Sequence, residues 1–324
     1  IQGVAHFLAR LDCLLNLAEI ADQNDYHKPE FNSEGFIQIE DGRHPVVEKM
    51  ITGERFVPNT IRMDNTENQI LIITGPNTGG KTVTLKTVGL LALMAQSGLH
   101  IPVHVGSMIS IFDNIYADIG DEQSIEQSLS TFSGHITNII RILEHSDRRS
   151  LVILDELGAG TDPQEGAALA RSLLDHLLGR GITTLVTTHH PELKAYAHAK
   201  PGVVNASVEF DLQTLQPTYH LTIGLPGRSN ALAIAERLGL PDEIVNLARA
   251  EISPADLRAE DLLDEIHRQR DLAREARSAA EKARHEAEAI RTELASRLEN
   301  VEDERRDLLE QARQAAEAEI DKLH

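Results

Sequence analysis

Residues Gly75 to Thr82 have types and spacing that suit the binding of a phosphate chain. They match the pattern Gly-x-x-x-x-Gly-Lys-Thr, and the candidate nucleotide contacts are Gly75, Pro76, Asn77, Thr78, Gly79, Gly80, Lys81, Thr82 and the following Val83. In such a loop backbone N–H groups surround the phosphates, the lysine reaches the β- and γ-phosphates, and the Thr82 hydroxyl ligates Mg²⁺. A strand before the loop and a helix after it, whose positive end faces the anion, complete the predicted site for ATP and Mg²⁺.

A second candidate group follows the apolar run Leu151–Leu154. Asp155 and Glu156 come directly after this run, where the carboxyl end of a buried parallel strand places ligand-binding groups. Asp155 is predicted to hold Mg²⁺, usually through water, and Glu156 to orient and deprotonate the attacking water. An apolar run that ends in Asp-Glu is also common as a purely structural feature, but its position after a phosphate loop favours hydrolysis of ATP to ADP and phosphate.

Two further patterns fit phosphate chemistry. His189 follows the run Thr183–Thr188, and its imidazole is predicted to sense the γ-phosphate, whereas His190 is predicted to face away. The segment Leu129–Gly134 is rich in hydroxyl groups and lies near the predicted start of a helix, which makes it a candidate anion site.

The elements that must position these residues are predicted from periodicity. Residues 1–24 have the apolar spacing of a helix, and Asp25–Ser33 is predicted to be a linker. From about residue 36 to 250, strands alternate with helices, which is typical of an α/β layer fold. The predicted helices are 125–145, 164–179 and 230–250, together with one after the phosphate loop over Val83–Gln96, and the predicted strands are Phe36–Glu40, Gln69–Thr74, Leu151–Asp155, Thr183–Thr187, Val203–Phe210 and Thr218–Ile223.

Residues 255–324 differ sharply in composition, because they contain neither Gly nor Pro. Small or apolar residues recur there every seven positions: Ala273, Ala280, Ala287, Leu294, Val301, Leu308 and Ala315. This repeat predicts a long helix, either paired as a coiled coil or solvated as a single helix.

Composition excludes some classes of function. The net charge of −20 and the aromatic content of 3% argue against a nucleic-acid interface within these residues, since such interfaces need basic and stacking groups. The single cysteine, Cys13, excludes a disulfide framework, suits a cytoplasmic protein, and is predicted to be a core residue. No apolar run has membrane-spanning length. The chain begins at Ile1 rather than Met, which predicts that it is part of a longer protein.

Several motifs in order resemble the ATPase domain of the MutS family. They are Gly42-Arg-His-Pro-Val-Val47, the loop Gly75–Thr82, Ser130-Thr-Phe132, Asp155-Glu156 and Thr188-His189. Thr78 and Ala159 stand where mismatch-repair members usually have Met and Arg. The sequences of Asp118–Ser124 and Asp155–Pro163 are similar to those of the bacterial MutS-two branch. The resemblance implies a P-loop fold of the ABC/MutS type, with a mixed sheet flanked by helices and a long C-terminal helix or coiled coil.

The resemblance also implies roles for single residues. Glu156, Lys81, His189 and Asn77 would be catalytic, and the Asn77 amide would point at the γ-phosphate and the attacking water. Phe56 and Val57 would contact adenine, although plain core packing remains an alternative for Phe56. Ser130 would contact the ATP of a partner subunit. Mg²⁺ would be held by Thr82 and Asp155, with Gln123 near the metal. Asp162 would couple the nucleotide sites of the two subunits across their interface.

For the whole protein, the resemblance implies residues 1–30 as the last helix of a lever region and 31–252 as the ATPase domain. A helical dimerisation element is expected at about 226–252, and 253–324 is expected to lead to an absent Smr nuclease domain. The partners implied are a second copy, forming a homodimer, and branched DNA or a ribosome and its rRNA, with roles in suppressing recombination or in ribosome quality control. Two alternatives stay open: another ABC-type ATPase, in a transporter or in chromosome maintenance, and a structural module with vestigial ATPase activity.

Overall fold

The computed structural model describes residues 2–51, 55–120, 131–211, 214–227 and 231–251, together with single positions between 266 and 305. The chain divides into two compact units, residues 1–249 and 250–324. Among the described residues, no helix is long and apolar enough to cross a membrane.

The first unit alternates strands and helices along the chain. The strands are β1 Glu30–Asn32, β2 Ile37–Gly42, β3 Asn59–Met63, β4 Asn68–Thr74, β5 Met108–Ser110, β6 Asn114–Asp118, β7 Ser150–Leu154, β8 Thr183–Thr187, β9 Gly202–Asp211 and β10 Gln216–Ile223. The helices are α1 Gln2–Gln23, α2 Val47–Met50, α3 Lys81–Gln96, α4 Thr131–His145, α5 Pro163–Gly179, α6 Pro191–Ala199, α7 Ala231–Arg237 and α8 Asp242–Glu251.

A six-stranded sheet in the order β10-β9-β4-β8-β7-β6 forms the centre of this unit. All neighbouring strands are parallel except β10, which pairs antiparallel with β9. A second sheet has the order β1-β5-β2-β3. Because β8 lies between β4 and β7, the loops that follow these three strands meet at one edge of the sheet.

Helices cover both faces of the central sheet, which explains the continuous apolar runs of its strands. Residues of β4 alternate between two core clusters: Leu71 and Ile73 pack in the cluster that contains Leu85 and Val88 of α3. Ile70 and Ile72 pack in the other cluster, which contains apolar residues of α4, α5 and α6. The prediction of an α/β fold with a mixed sheet flanked by helices is therefore confirmed.

Several predicted elements need correction. The helix predicted at 230–250 is two helices, α7 and α8, because Gly239 takes a φ of +95° and Pro241 follows it. The linker predicted at Asp25–Ser33 contains β1, which pairs with β5 in parallel register.

The first helix, α1, is also more exposed than its pattern predicts. Its one buried residue is Ala21, near the C-terminal end. The apolar side chains at Val4, Phe7, Leu11 and Leu14 are all more than half exposed. Cys13 is exposed as well, so the prediction that it is a core residue is wrong.

The second unit is described at single helical positions between 266 and 305. Two exposed ion pairs link residues one turn apart, Arg284 with Glu288 and Arg297 with Glu293. These pairs stabilise a helix by a few tenths of a kcal/mol, about 0.3–0.5 each. They fit the predicted long helix, whereas the pairing of that helix stays a prediction.

Candidate functional site

The phosphate loop lies between the central strand β4 and the start of α3. It turns at Gly75, with a φ of +127°, forms a short 3-10 turn over Asn77–Gly79, and reaches the helix through Gly80, with a φ of +89°. A Cβ at Gly75 or Gly79 would lie 2.7 or 2.5 Å from Cγ2 of Val208, so both positions require glycine. The N-terminal N–H groups of α3 are thereby brought beside the loop, which is the arrangement that binds anions.

Lys81, the first residue of α3, is only 4% exposed. Its Nζ donates a hydrogen bond to O of Gly75 at 2.7 Å, across the loop. Burial lowers the pKa of Lys81, while the charges of Glu156 and Asp155 oppose that shift. The ammonium group therefore lies between the loop and the carboxylates, where a phosphate group would neutralise it.

The structure brings Thr82 and Asp155 together although they belong to different elements. Thr82 Oγ1 donates to Oδ2 of Asp155 at 2.7 Å, and the Thr187 hydroxyl donates to Oδ1 of Asp155. A hydroxyl and a carboxylate are the hard oxygen ligands that Mg²⁺ takes in sites where nucleotide phosphates and water complete the coordination. The residues present thus fit the predicted Mg²⁺ site.

Glu156 follows Asp155 and is exposed. Its φ of +50° is a left-handed conformation that costs about 1 kcal/mol or more for a residue with a side chain. The conformation is held by two hydrogen bonds, from N of Glu156 to Oγ1 of Thr187 at 2.8 Å and from N of Leu157 to O of Thr187 at 3.0 Å. Strain of this kind, when the surroundings enforce it, is typical of functional positions.

His189 lies just beyond β8 and is exposed, whereas His190 is 4% exposed. The two rings stack with their centroids 4.6 Å apart. Burial and the neighbouring His190 lower the pKa of His189, and the Glu156 carboxylate opposes this shift. His189 is therefore neutral at pH 7 and able to donate one hydrogen bond toward the site.

A cavity of about 450 Å³ opens beside the phosphate loop. Its wall includes Phe56 and Val57, the predicted adenine contacts, and Gly79, Gly80 and Val83 of the loop and helix. The size is in the range of small-molecule sites, which is about 300–1,000 Å³. The predicted adenine contacts and the phosphate loop therefore line the same cavity.

Tyr219 also lines this cavity and was missed in the sequence analysis. It is 44% exposed, has a φ of +60°, and lies so close to Gly80 that a Cβ there would be 3.4 Å from its Cδ1. Asn59 fixes this part of β10, since its Nδ2 donates to O of Tyr219 at 2.9 Å and its Oδ1 accepts from N of Leu221 at 2.7 Å. The pairing of β10 is irregular between Pro217 and Leu221, and this irregularity turns Tyr219 toward the loop. The spacing of residues in the sequence does not predict it.

The base of the loop is tied to the segment that leads toward α7. N of Gly227 donates to Oγ1 of Thr74 at 2.8 Å, and Nζ of Lys194 donates to O of Gly227 at 2.7 Å. A Cβ at Gly227 would lie 3.1 Å from N of Gly75. The loop and the predicted dimerisation element are therefore directly connected through Gly227.

Three predicted site residues cannot be placed in the same way. Gln123 and Ser130 lie outside the described residues, and so does the side chain of Asn77. Their predicted roles stay predictions.

A glycine-rich turn follows the buried strand β4, and Thr82, in the first turn of α3, bonds to Asp155 directly after β7. These features define a P-loop nucleotide-binding protein. Residues 71–255 match the sequence family described as MutS domain V. The chain therefore belongs to the MutS family, as the ordered motifs predict, and this membership argues against the alternative of a transporter or another ABC-type ATPase.

Curated relatives place the chain in the MutS-two branch. It is 50% identical over 316 residues to the endonuclease MutS2 of Geobacillus thermodenitrificans, covering 98% of this chain and 39% of that protein. It is 53% identical over 286 residues to the endonuclease MutS2 of Geobacillus kaustophilus, covering 88% of this chain and 36% of that protein. The endonuclease MutS2 of Clostridium botulinum is 49% identical over 312 residues, covering 96% and 39%. The chain thus spans about two fifths of the length of these relatives.

Proposed function

We propose that this chain is an ATPase module that hydrolyses ATP to ADP and phosphate with the help of Mg²⁺. The observation that carries the proposal is the contact between Thr82 and Asp155, at 2.7 Å, beside the buried Lys81. Family membership supports it, because domain V is the P-loop ATPase domain of MutS proteins.

Each residue has a defined task in this proposal. Lys81 would exchange its hydrogen bond to Gly75 for one to a phosphate oxygen, and the N-terminal N–H groups of α3 would bind the same phosphates. Glu156, exposed and held by Thr187, would orient the attacking water and accept its proton. The neutral His189 would donate a hydrogen bond to the γ-phosphate, as would the Asn77 amide. Thr82 and Asp155, with Gln123 nearby, would hold Mg²⁺, which would supply neutralisation of the charge on the phosphates.

The nucleotide base would lie in the 450 Å³ cavity. Phe56 and Tyr219 both line it and offer aromatic faces for stacking, and Val57 adds apolar contact. Ser130, near the start of α4, would contact the nucleotide of a partner subunit, so that ATP binding and closure of a homodimer become one event. Asp162, which caps α5 by accepting hydrogen bonds from N of Gln164 and Glu165, would communicate between the two sites.

Phosphate release by the purified chain tests the proposed chemistry. Glu156→Gln should bind nucleotide and stall turnover, because the amide cannot accept the proton from water. Lys81→Ala should weaken nucleotide binding by removing the buried cation. Glu144→Gln, at an exposed position on α4, is the matched control for loss of a carboxylate and should hydrolyse ATP normally. Unchanged nucleotide affinity in Lys81→Ala, or normal turnover in Glu156→Gln, would contradict the assignment.

We further propose the organisation of the longer protein. Residues 1–30 would join a lever region, 31–252 would form the ATPase domain, and 253–324 would be a helix or coiled coil leading to a nuclease domain beyond this chain. Homodimerisation would use the helices within 226–252, where Leu238 and Leu247 are 74% and 70% exposed. DNA, branched or otherwise, or a ribosome would be bound by other parts of the protein, and these partners and the suppression of recombination remain proposals.

A further inference from the structure

A group of polar side chains beside the carboxylates has no task in the function proposed above. Asp118, the last residue of β6, has a side chain that is only 10% exposed. Nδ1 of His135 donates to its Oδ2 at 2.7 Å, and Nδ2 of Asn138 donates to its Oδ1 at 2.9 Å. Both oxygens of the Asp118 carboxylate are therefore held by α4.

The backbone of Asp118 in turn holds the candidate Mg²⁺ ligand. N of Asp155 donates to O of Asp118 at 2.8 Å, directly after the point where Asp118 pairs with Leu154 of β7. A shift of Asp118 would therefore move the peptide group to which Asp155 is bonded. The side-chain hydrogen bonds from α4 add to the pairing of β6 with β7 in holding Asp118 in place.

A second contact joins α4 to the far end of the same turn. Gly160 has a φ of +82°, and a Cβ there would lie 3.4 Å from Cβ of Phe132 and 3.5 Å from its N. The first turn of α4 therefore lies close to the C-terminal end of the segment Asp155–Gly160.

Packing between these contacts is incomplete. A cavity of about 20 Å³ lies between the turn, α4 and α5, and its lining includes Glu156, His135 and Ala159. Such a volume has room for about one water molecule. Because packing does not fill this space, the hydrogen bonds that hold Asp118 help to fix the turn, together with the bonds from N of Glu156 and N of Leu157 to Thr187.

We propose that His135 is a positioning residue for Asp155 and Glu156. With Asn138 it holds the Asp118 carboxylate, and through the backbone of Asp118 it fixes the turn that carries the two carboxylates. The inference rests on the proposed ATPase function. Loss of the His135 donor would leave a nearly buried carboxylate oxygen without its partner, and the turn would shift to compensate. A misplacement of about 1 Å in a catalytic geometry can cost about a hundredfold in rate.

The test compares three variants of the full chain. His135→Phe keeps the volume of the ring and removes the donor, whereas His135→Asn keeps a donor near the position of Nδ1. His145→Phe is the matched control, since it makes the same replacement at an exposed histidine at the other end of α4. Hydrogen exchange of the amides of residues 155–160 without nucleotide, the dissociation constant for ATP, and kcat are measured for each.

We expect His135→Phe to increase exchange in residues 155–160 by about tenfold, through local opening of the turn. Its kcat should fall about tenfold or more, whereas its affinity for ATP measured without Mg²⁺ should change less than about twofold, because the phosphate loop itself is untouched. His135→Asn should restore most of both losses, and His145→Phe should match the wild type. A merely structural role would lower thermal stability without this separation of kcat from affinity and without rescue by asparagine.

Wild-type exchange and wild-type kcat in His135→Phe would overturn the inference. Equal losses in His145→Phe would overturn it as well, since the effect would then be general to α4. If the wild type released no phosphate, the proposed function would fail, and the exchange rates would still decide whether His135 holds the turn.

Discussion

A single hydroxyl group organises the two carboxylates of the candidate site. Thr187 accepts a hydrogen bond from N of Glu156 and donates its one proton to Oδ1 of Asp155. The left-handed conformation of Glu156 is thus maintained by the same atom that orients Asp155. Sequence alone predicts that a hydroxyl in a buried strand is hydrogen-bonded. It could not predict these partners, because they lie 31 and 32 residues away in the chain.

At the scale of single residues, two histidines also make the free energy of unfolding depend on pH. Burial is the first cause that lowers the pKa of both His44 and His189 below the ordinary value of 6.5. Nδ1 of His44 accepts hydrogen bonds from N of Val46 and of Val47, each at 3.3 Å, so protonation at this atom would break the start of α2. As pH falls below 6.5, the unfolded chain takes up these protons before the folded chain does.

We therefore predict that the free energy of unfolding changes little between about pH 7 and 8 and decreases as pH falls through about 6.5 and below. Urea unfolding at about pH 8, 7, 6 and 5.5 measures this dependence. His44→Asn keeps an acceptor near Nδ1 but does not titrate, so it should retain most of the stability at pH 8 and weaken the decrease in acid. His100→Asn, at an exposed histidine, is the control. An acid decrease that is as steep in His44→Asn as in the wild type would refute the role of His44.

At the scale of elements, five of the six strands of the central sheet were predicted, because both faces of the sheet are covered, whereas β6, which is more exposed, was missed. Strands β4, β7 and β8 are buried along almost their whole length, and such strands appear in the sequence as unbroken apolar runs. The smaller sheet was largely missed, since β1 and β5 have only three residues each, too few for an alternating pattern. The exposure of α1 could not be predicted, because an apolar helix face looks the same whether or not the structure covers it.

Arg43 joins the end of α1 to the rest of the first unit. Its Nη2 donates to O of Asn24 at 2.9 Å and to O of Asp25 at 2.7 Å, just after the end of α1. Its Nε lies 3.4 Å from Oε1 of Glu48, and the side chain is only 20% exposed. A guanidinium group at the carbonyls of a helix end also interacts favourably with the helix dipole.

We predict that Arg43→Gln lowers the free energy of unfolding by about 2 kcal/mol, the size expected for lost hydrogen bonds to a charged group. Hydrogen exchange should increase in the last turn of α1. Arg149→Gln is the matched control, because Arg149 pairs with Asp113 at 2.8 Å but is 57% exposed, and such pairs contribute less than about 1 kcal/mol. Chemical denaturation and peptide-resolved exchange provide the measurements. Equal losses in the two variants would show that the junction does not depend on Arg43.

At the scale of the whole molecule, the phosphate loop could be predicted because its residues are contiguous. The sites that combine distant segments could not: Tyr219 meets Gly80, and His135 meets Asp118, through turns that no local pattern specifies. Surface properties also differ in whether the sequence predicts them. A net charge of −20 could be read from composition, whereas the exposed apolar residues of α1 and of α7–α8 became visible only in the fold.

These two surface properties oppose each other in any association of two copies. Two chains of charge −20 repel, while exposed apolar side chains such as Leu238 and Leu247 favour contact. ATP bound between the copies would add the missing attraction, and Glu156→Gln should preserve that state by stalling hydrolysis. We predict that Glu156→Gln with ATP and Mg²⁺ shifts toward twice the 35.7 kDa of one chain. Without nucleotide, the mass should stay closer to that of one chain.

Light scattering after size-exclusion chromatography gives the mass directly, at an ionic strength of about 0.15 M where charges more than about 8 Å apart are screened. The double variant Lys81→Ala, Glu156→Gln should not shift, because it lacks the buried cation that binds the phosphates. Nucleotide binding measured on the same samples separates failure to bind from failure to pair. A Glu156→Gln protein that is saturated with ATP and keeps the mass of one chain would contradict pairing through the nucleotide. Dimers of equal amount with and without ATP would instead assign the pairing to apolar contact alone.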